Sequence, residues 1–372
     1  MKANPDVRTD RPNAWPTPST CIASLLLAAA LLGCQVPARQ RRPQEEAVAK
    51  PVEWDIPIEM NEAVETWMHY YQTRGRESFE ITLARAGRYE RLMREVLRRK
   101  GLPEDLVFLS LIESGFAPEA YSSASAAGLW QFVPATARIY GLEISHWVDE
   151  RYDPIAATSA AAEYLEDLQR EFGDWWLTVA AYNAGPGRVH RAIRRAGSRD
   201  FWTLAERRVL RRETRDYVPK LIAAALIAKQ PEKYGLRKRP EPIATFDFGH
   251  VPDATSLDVV ADAAGVPLED ILALNLHLIR GITPPGKQYD VRLPAGRPRV
   301  FAENYANVPA AERVRSVVHI VRRGENLGRI ARKYRVRMSA IIQANAALDP
   351  QSLTVGQRVL IPGTHVVPRL SD

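Results

Sequence analysis

The sequence predicts a mainly α protein that ends in two small α+β modules. From about residue 53 to 230 the apolar residues recur at helical spacing and strand signals are scarce. Beyond residue 240 the order strand, two short helices, strand occurs twice, with matching residues 70 positions apart. Length agrees, because 372 residues is long for one compact domain and fits two or three.

The N-terminus reads as an export signal. Lys2, Arg8 and Arg11 precede the apolar stretch from Ile22 to Leu32, which is too short to cross a bilayer but suits a secretory signal. It ends in Leu31-Leu32-Gly33-Cys34, which resembles a bacterial lipobox. The resemblance implies a leader over residues 1–33, cleavage before Cys34 and lipid attachment to Cys34. The long first segment carries Asp6 and Asp10, a departure from the usual pattern, and a plain signal peptide with an incidental cysteine is the alternative. Gln35 follows the cysteine, where an Asp would imply inner-membrane retention. The expected location is therefore the inner leaflet of the outer membrane, facing the periplasm. Cys21 and Cys34 are the two cysteines of the chain, so the mature protein has neither a disulfide framework nor a cysteine metal site. None of the seven histidines shows metal-ligand spacing, and no metal or cofactor is expected.

Residues 34–52, polar and containing Pro37, Pro43 and Pro51, read as a tether. An all-α domain is expected over 53–235. Val64, Trp67, Met68 and Tyr71 make one apolar stripe, and Leu92, Val96 and Leu97 another. Asp153-Pro154 predicts the cap and first turn of an Ala-rich helix ending near Gly173. Asp174 caps the next helix, which stops at Gly185-Pro186-Gly187. Arg237-Lys238-Arg239-Pro240-Glu241-Pro242 marks a linker. The repeat follows as modules over 245–296 and 316–363, with a second linker over 297–315. Val266 and Val336, Ile271 and Ile341, Asn275 and Asn345, and Gly286 and Gly356 correspond between the copies. The net charge of +7 fits an anionic partner, and the export signal disfavours nucleic acid.

Chemistry enters at Glu113. The run from Leu106 to Phe116 is apolar almost all round and reads as a buried helix, with Pro103 at its start and Gly115 at its end. Burial and the negative pole of the helix C-terminus both disfavour a carboxylate there. Such a carboxyl stays protonated near neutral pH, as a general acid requires. Three more pieces follow it in sequence: Ser122 among the small residues 122–128, Gly128-Leu129-Trp130-Gln131-Phe132, and Ala181-Tyr182-Asn183-Ala184-Gly185. Trp130 and Tyr182 offer faces for sugar rings, and Gln131 and Asn183 offer amides suited to a neutral N-acetylated polysaccharide. Taken singly, Trp130 and Tyr182 read as core aromatics, Ser122 as a turn or cap hydroxyl and Asn183 as a helix end.

In this order and spacing, residues 101–220 resemble the catalytic domain of the soluble lytic transglycosylases, with Tyr217 following in Glu213-Thr214-Arg215-Asp216-Tyr217-Val218-Pro219. His319 to Gly363 resembles a LysM module, in which Glu325-Asn326 stands where Asp-Thr is usual. The copy over 245–296 lacks the Gly-Asp/Glu turn and reads as a degenerate module. The whole arrangement is similar to the membrane-bound lytic murein transglycosylase D family. The resemblance implies a lysozyme-like all-α catalytic domain followed by LysM-type βααβ modules. It implies cleavage of the β-1,4 bond between N-acetylmuramic acid and N-acetylglucosamine in peptidoglycan glycan strands, leaving a 1,6-anhydro end. Glu113 would act as acid and then base. Ser122, Gln131, Tyr182 and Asn183 would hold N-acetyl groups and ring hydroxyls, and Tyr217 would orient the Glu113 carboxyl. The oligomeric state is not legible.

The residues agree with that mechanism at one independent point. Glycosidases that use water need two carboxyl groups flanking the bond. Between Glu113 and Gln131 the sequence has only Glu119, and Asp149, Glu150 and Asp153 lie in a polar stretch at a helix start. An intramolecular 6-hydroxyl removes the need for a second carboxyl. Two alternatives stand: a lysozyme-type hydrolase in which Asp149 or Asp153 assists a water, and a non-catalytic peptidoglycan-binding lipoprotein.

Overall fold

The structure, a computed structural model, describes residues 54–237, 239–345 and 348–363. Cys34, the expected leader and the tether lie outside the described residues. Among the described residues nine α-helices come first: α1 (Glu62–Gln72), α2 (Arg76–Arg99), α3 (Phe108–Ser114), α4 (Pro134–Ile139), α5 (Pro154–Phe172), α6 (Trp175–Ala184), α7 (Pro186–Ala196), α8 (Phe201–Glu206) and α9 (Arg212–Lys229). Then come β1 (Phe246–Val251), α10 (Leu257–Ala264), α11 (Leu268–Leu274), β2 (Tyr289–Pro294) and α12 (Pro298–Tyr305). The chain ends with β3 (Ser316–Ile320), α13 (Leu327–Tyr334), α14 (Met338–Ala344) and β4 (Arg358–Pro362). The fold is mainly α with two small α+β units, as the periodicity and the repeat predict. No helix among the described residues is long and apolar enough to cross a membrane.

The predicted punctuation is where the helices stop and start. Asp153 caps α5 by accepting from the amides of Ile155 and Ala156, with Pro154 in the first turn and Gly173 in the left-handed conformation at the end. Asp174 caps α6 through the amide of Leu177. Gly185, at φ +83°, joins α6 directly to α7, which Pro186 opens. The core of this unit is built by α2, α3, α5, α6 and α9. In α3, Phe108, Leu109 and Leu111 are buried in it. Each such side chain contributes roughly 1.5–3 kcal/mol through its removal from water, so α3 is anchored far more firmly than its seven residues suggest.

In each module two antiparallel strands flank two helices: β1 pairs with β2, from Phe246 opposite Pro294 to Val251 opposite Tyr289, and β3 with β4, from Ser316 opposite Pro362. The repeated asparagine has the same physical task in both copies. Asn275 donates to the carbonyls of Ile271 and Arg292 and accepts from the Arg292 amide. Asn345 does the same with Ile341 and Leu360. It thereby ties the end of the second helix to the second strand.

Residues 297–315 are more than the linker the sequence predicts. They contain α12, and its Phe301 and Tyr305 are buried in the second core. The Pro-rich segment after residue 236 is likewise held, with Glu241 N on Ala84 O and Ala244 N on Arg88 O, both in α2. The first module is fastened to the helical unit. Val148 pairs with Leu278, Asp149 N donates to His277 O, and Arg292 reaches the helix-capping Asp153 at 2.6 Å. Trp147 and Val148 belong to the modules' core rather than to the helical one.

Candidate active site

Glu113 sits in the last turn of α3, half-buried, just before Gly115 at φ +60°. The hydroxyls of Ser110 and Ser114 both donate to the Leu129 carbonyl at 2.9 Å. This pins the helix to the loop carrying Gly128-Leu129-Trp130-Gln131. The loop is itself clamped by Arg151. Its guanidinium is paired with Asp149 at 2.9 and 2.7 Å and donates to the carbonyls of Ser125 and Phe132. Gly128, at φ +77°, passes so close to that clamp that a Cβ would lie 1.8 Å from the Arg151 carbonyl oxygen. Only glycine fits there.

The other wall is α9. Tyr217 Oη donates to Glu113 Oε1 at 2.5 Å. Glu213, Tyr217 and Lys220 are spaced to share one face of α9, and the charges of Glu213 and Lys220 are both felt at Glu113. Burial pushes the Glu113 carboxyl up to about 7, against the opposing pull of the Tyr217 hydrogen bond and the Lys220 charge, while Glu213 pushes it further up. Tyr217 and Tyr182 are raised well above the ordinary phenol value, first by burial and then by the Glu113 charge, so both are neutral hydrogen-bond donors. Burial also lowers Lys220.

Of the remaining sequence-predicted residues, Tyr182 lies near enough to feel the Glu113 charge, and the polar atoms of all four are engaged mostly by the protein itself. Ser122 Oγ accepts from the amide of Ala126 at 3.0 Å, the turn role foreseen for it. Gln131, at φ +48°, donates to the carbonyls of Gly128 and Ala120. Tyr182 donates to the Trp130 carbonyl at 2.8 Å, its ring 5.3 Å from that of Tyr164. Asn183 accepts from Thr214 at 2.9 Å and points its amide nitrogen at Glu213, 3.5 Å away. Trp130 is a correction. It has no exposed surface, and its Nε1 donates to Thr158 Oγ1 at 2.9 Å, so it is a core aromatic and cannot stack on a sugar.

Sequence reasoning missed Glu213 and Lys220. The signal was present, because both are spaced on α9 to lie on the same face as Tyr217. What was not legible is that α9, about a hundred residues on, packs against α3. The carboxylates considered for a hydrolase are committed elsewhere. Asp149 is buried in its pair with Arg151, and Asp153 caps α5 and binds Arg292. Among the described residues no group of histidine, cysteine or acidic side chains could hold a metal.

The transglycosylase SLT domain matches residues 92–205. The LysM-like domain of lytic transglycosylase MltD matches 245–310, and the LysM domain matches 319–362. The chain is 35% identical over 305 residues to membrane-bound lytic murein transglycosylase D of Escherichia coli K12, covering 74% of this chain and 65% of that one. It thus spans about two thirds of that relative's length. It is 26% identical over 176 residues to the soluble lytic murein transglycosylase of the same organism, covering 46% of this chain and 26% of that one. The crystal structure of the 70 kDa soluble lytic transglycosylase from Escherichia coli matches 37% of this chain and 24% of its own at 25% identity, with a TM-score of 0.32. By domain content, domain order and identity, the chain is similar to membrane-bound lytic murein transglycosylase D, with a transglycosylase SLT domain followed by LysM-type domains.

Proposed function

We propose that the protein is a lytic transglycosylase that cleaves the β-1,4 bond between N-acetylmuramic acid and N-acetylglucosamine in peptidoglycan. The observation that carries this is the Glu113 carboxyl, held near neutrality by burial and aimed by Tyr217. Its proton passes to the glycosidic oxygen as the bond to the muramic anomeric carbon breaks. The Glu113 carboxylate then removes the proton of the muramic 6-hydroxyl, whose oxygen bonds to that same carbon. No water is consumed, and Glu113 ends protonated as it began. Acid–base help of this kind supplies about 10²–10⁴-fold in rate. On this reading Ser122, Gln131, Tyr182 and Asn183 hold the sugar's N-acetyl and hydroxyl groups, and the neutral phenols can stabilise developing charge.

One observation keeps the hydrolase reading in view. Glu213 is exposed, and its charge reaches Glu113. It is a better placed second carboxyl than Asp149 or Asp153. Mass spectrometry of sacculus digests separates the two reactions, since the anhydro end is one water lighter than the hydrolytic one. Glu113→Gln is expected to abolish release of anhydro-muropeptides with the fold intact. Normal release by that variant would remove Glu113 from the mechanism, and no release by the wild type would favour a binding protein.

The module over 316–363 is assigned to binding N-acetylglucosamine-containing strands, so deletion of 316–372 should lower retention on insoluble peptidoglycan. The 245–296 module, fastened to the helical unit through Asp153 and Arg292, has a structural role. Similarity to a membrane-bound relative and the lipobox-like Cys34 support attachment to the envelope, with the lipid on Cys34 in the inner leaflet of the outer membrane. Cys34→Ser should then move the protein from the membrane to the soluble fraction.

A further inference from the structure

Beside the catalytic helix lies a groove of about 510 Å³, walled by α1, the first half of α2 and the end of α3. Its aromatic side is formed by Trp67 and Tyr70, ring centroids 5.4 Å apart and edge to face. Tyr70 is 42% exposed yet well seated. Its ring rests on Gly75, where a Cβ would come within 2.6 Å of it. The other side carries two cations, Arg85 and Lys220. Neither is ion-paired within the described residues. Lys220 Nζ donates to the Ile112 carbonyl at 3.4 Å, lies 5.6 Å from the centre of the Trp67 ring and feels the charges of Glu113 and Glu213. The groove ends at Ser114 and Gly115, immediately after Glu113. Its residues 67–85 precede the segment matched by the SLT domain.

A partly exposed pair of aromatic rings offers apolar surface against which a sugar ring can pack. The exposed Arg85, which pairs with no carboxylate among the described residues, fits an anion beside the half-buried Lys220, because a neutral occupant would displace their water and return no charge. Peptidoglycan combines both features where a muramyl sugar carries its peptide stem, whose free carboxylates extend from the lactyl side.

We infer that this groove is a subsite for a peptide-bearing sugar next to the cleavage point, its ring against Trp67 and Tyr70 and its stem carboxylates between Arg85 and Lys220. The inference rests on the peptidoglycan reading above and adds recognition of the stem to it. The test is a binding titration of the full chain by calorimetry, with a disaccharide-tetrapeptide and with the same molecule after amidation of its carboxylates. The native form should bind more tightly. Arg85→Glu should weaken the native form at least about fivefold, the scale of one lost charge contact with repulsion added, and leave the amidated form unchanged. Tyr70→Ala should weaken both forms alike. Equal binding of the two forms by the wild type, or an Arg85→Glu effect that is absent or the same for both, would overturn the inference. The readout is binding, so a failure to form anhydro product would count against the transglycosylase reading alone.

Discussion

Replacing Glu113 by glutamine should stabilise the protein increasingly as pH rises above about 4.5, with the full effect reached above neutral pH. The side chain keeps its shape and still offers an oxygen to the Tyr217 hydroxyl. The carboxyl has an ordinary value of 4.5 and is raised to about 7 in the fold, mainly by burial. Between these values the native state holds a proton that the unfolded chain releases. Stability is then fully present below about pH 4.5 and is lost as pH rises through 7. One pKa unit corresponds to about 1.36 kcal/mol, so the gap sets a ceiling of about 3 kcal/mol at pH 8. Glutamine carries no such penalty. For a unit of this size the difference amounts to several degrees in Tm, at about 2–4 °C per kcal/mol. Thermal unfolding of the full chain and of Glu113→Gln at pH 4 and pH 8 reads it directly. The variant should match the wild type at pH 4 and melt higher at pH 8. An equal difference at both values, or a lower melting point at pH 8, would mean that Glu113 ionises as a solvated glutamate and would remove the basis for its acid role.

Tyr217→Phe removes the hydrogen bond that holds the Glu113 value down. The alkaline limb of the kcat/KM profile, where the acid loses its proton, should move to higher pH by about one to two units, since a hydrogen bond to a charged group is worth about 1.5–3 kcal/mol; a limb that stays in place counts against the assigned contact. Gly128→Ala drives a methyl into the Arg151 carbonyl and should both abolish turnover and cost about 3 kcal/mol or more in urea unfolding, as other clashes with forbidden backbone do. Arg292→Met leaves Asp153 without its cation. Losing one partner of a buried pair costs about 3–5 kcal/mol, so limited proteolysis should cut the segment around residues 237–245 faster, and an unchanged rate would show that the backbone pairing of Val148 with Leu278 suffices.

Much of this protein was legible because its cues are local. Helix ends follow from Asp153-Pro154, Asp174 and Gly185, each of which acts on its own turn. The module repeat was visible because Asn275 and Asn345 satisfy the same backbone groups in both copies, a demand that recurs with the fold. The raised Glu113 carboxyl was foreseeable from the apolar run around it, since a helix without a polar face must be buried.

Tertiary structure decided what depends on contact between distant segments. The ambiguity of Trp130 was resolved by α5, whose Thr158 accepts the indole and seals it inside. Tyr217 had a motif to announce it, but Glu213 and Lys220 acquire meaning only when α9 is laid against α3. Asp149 and Asp153 looked available in sequence and are taken by Arg151 and Arg292, the second of them 139 residues away. The division has one physical cause. Backbone conformation and burial preference are set by neighbours along the chain, whereas the charge state and availability of a functional group are set by whatever packs against it in space.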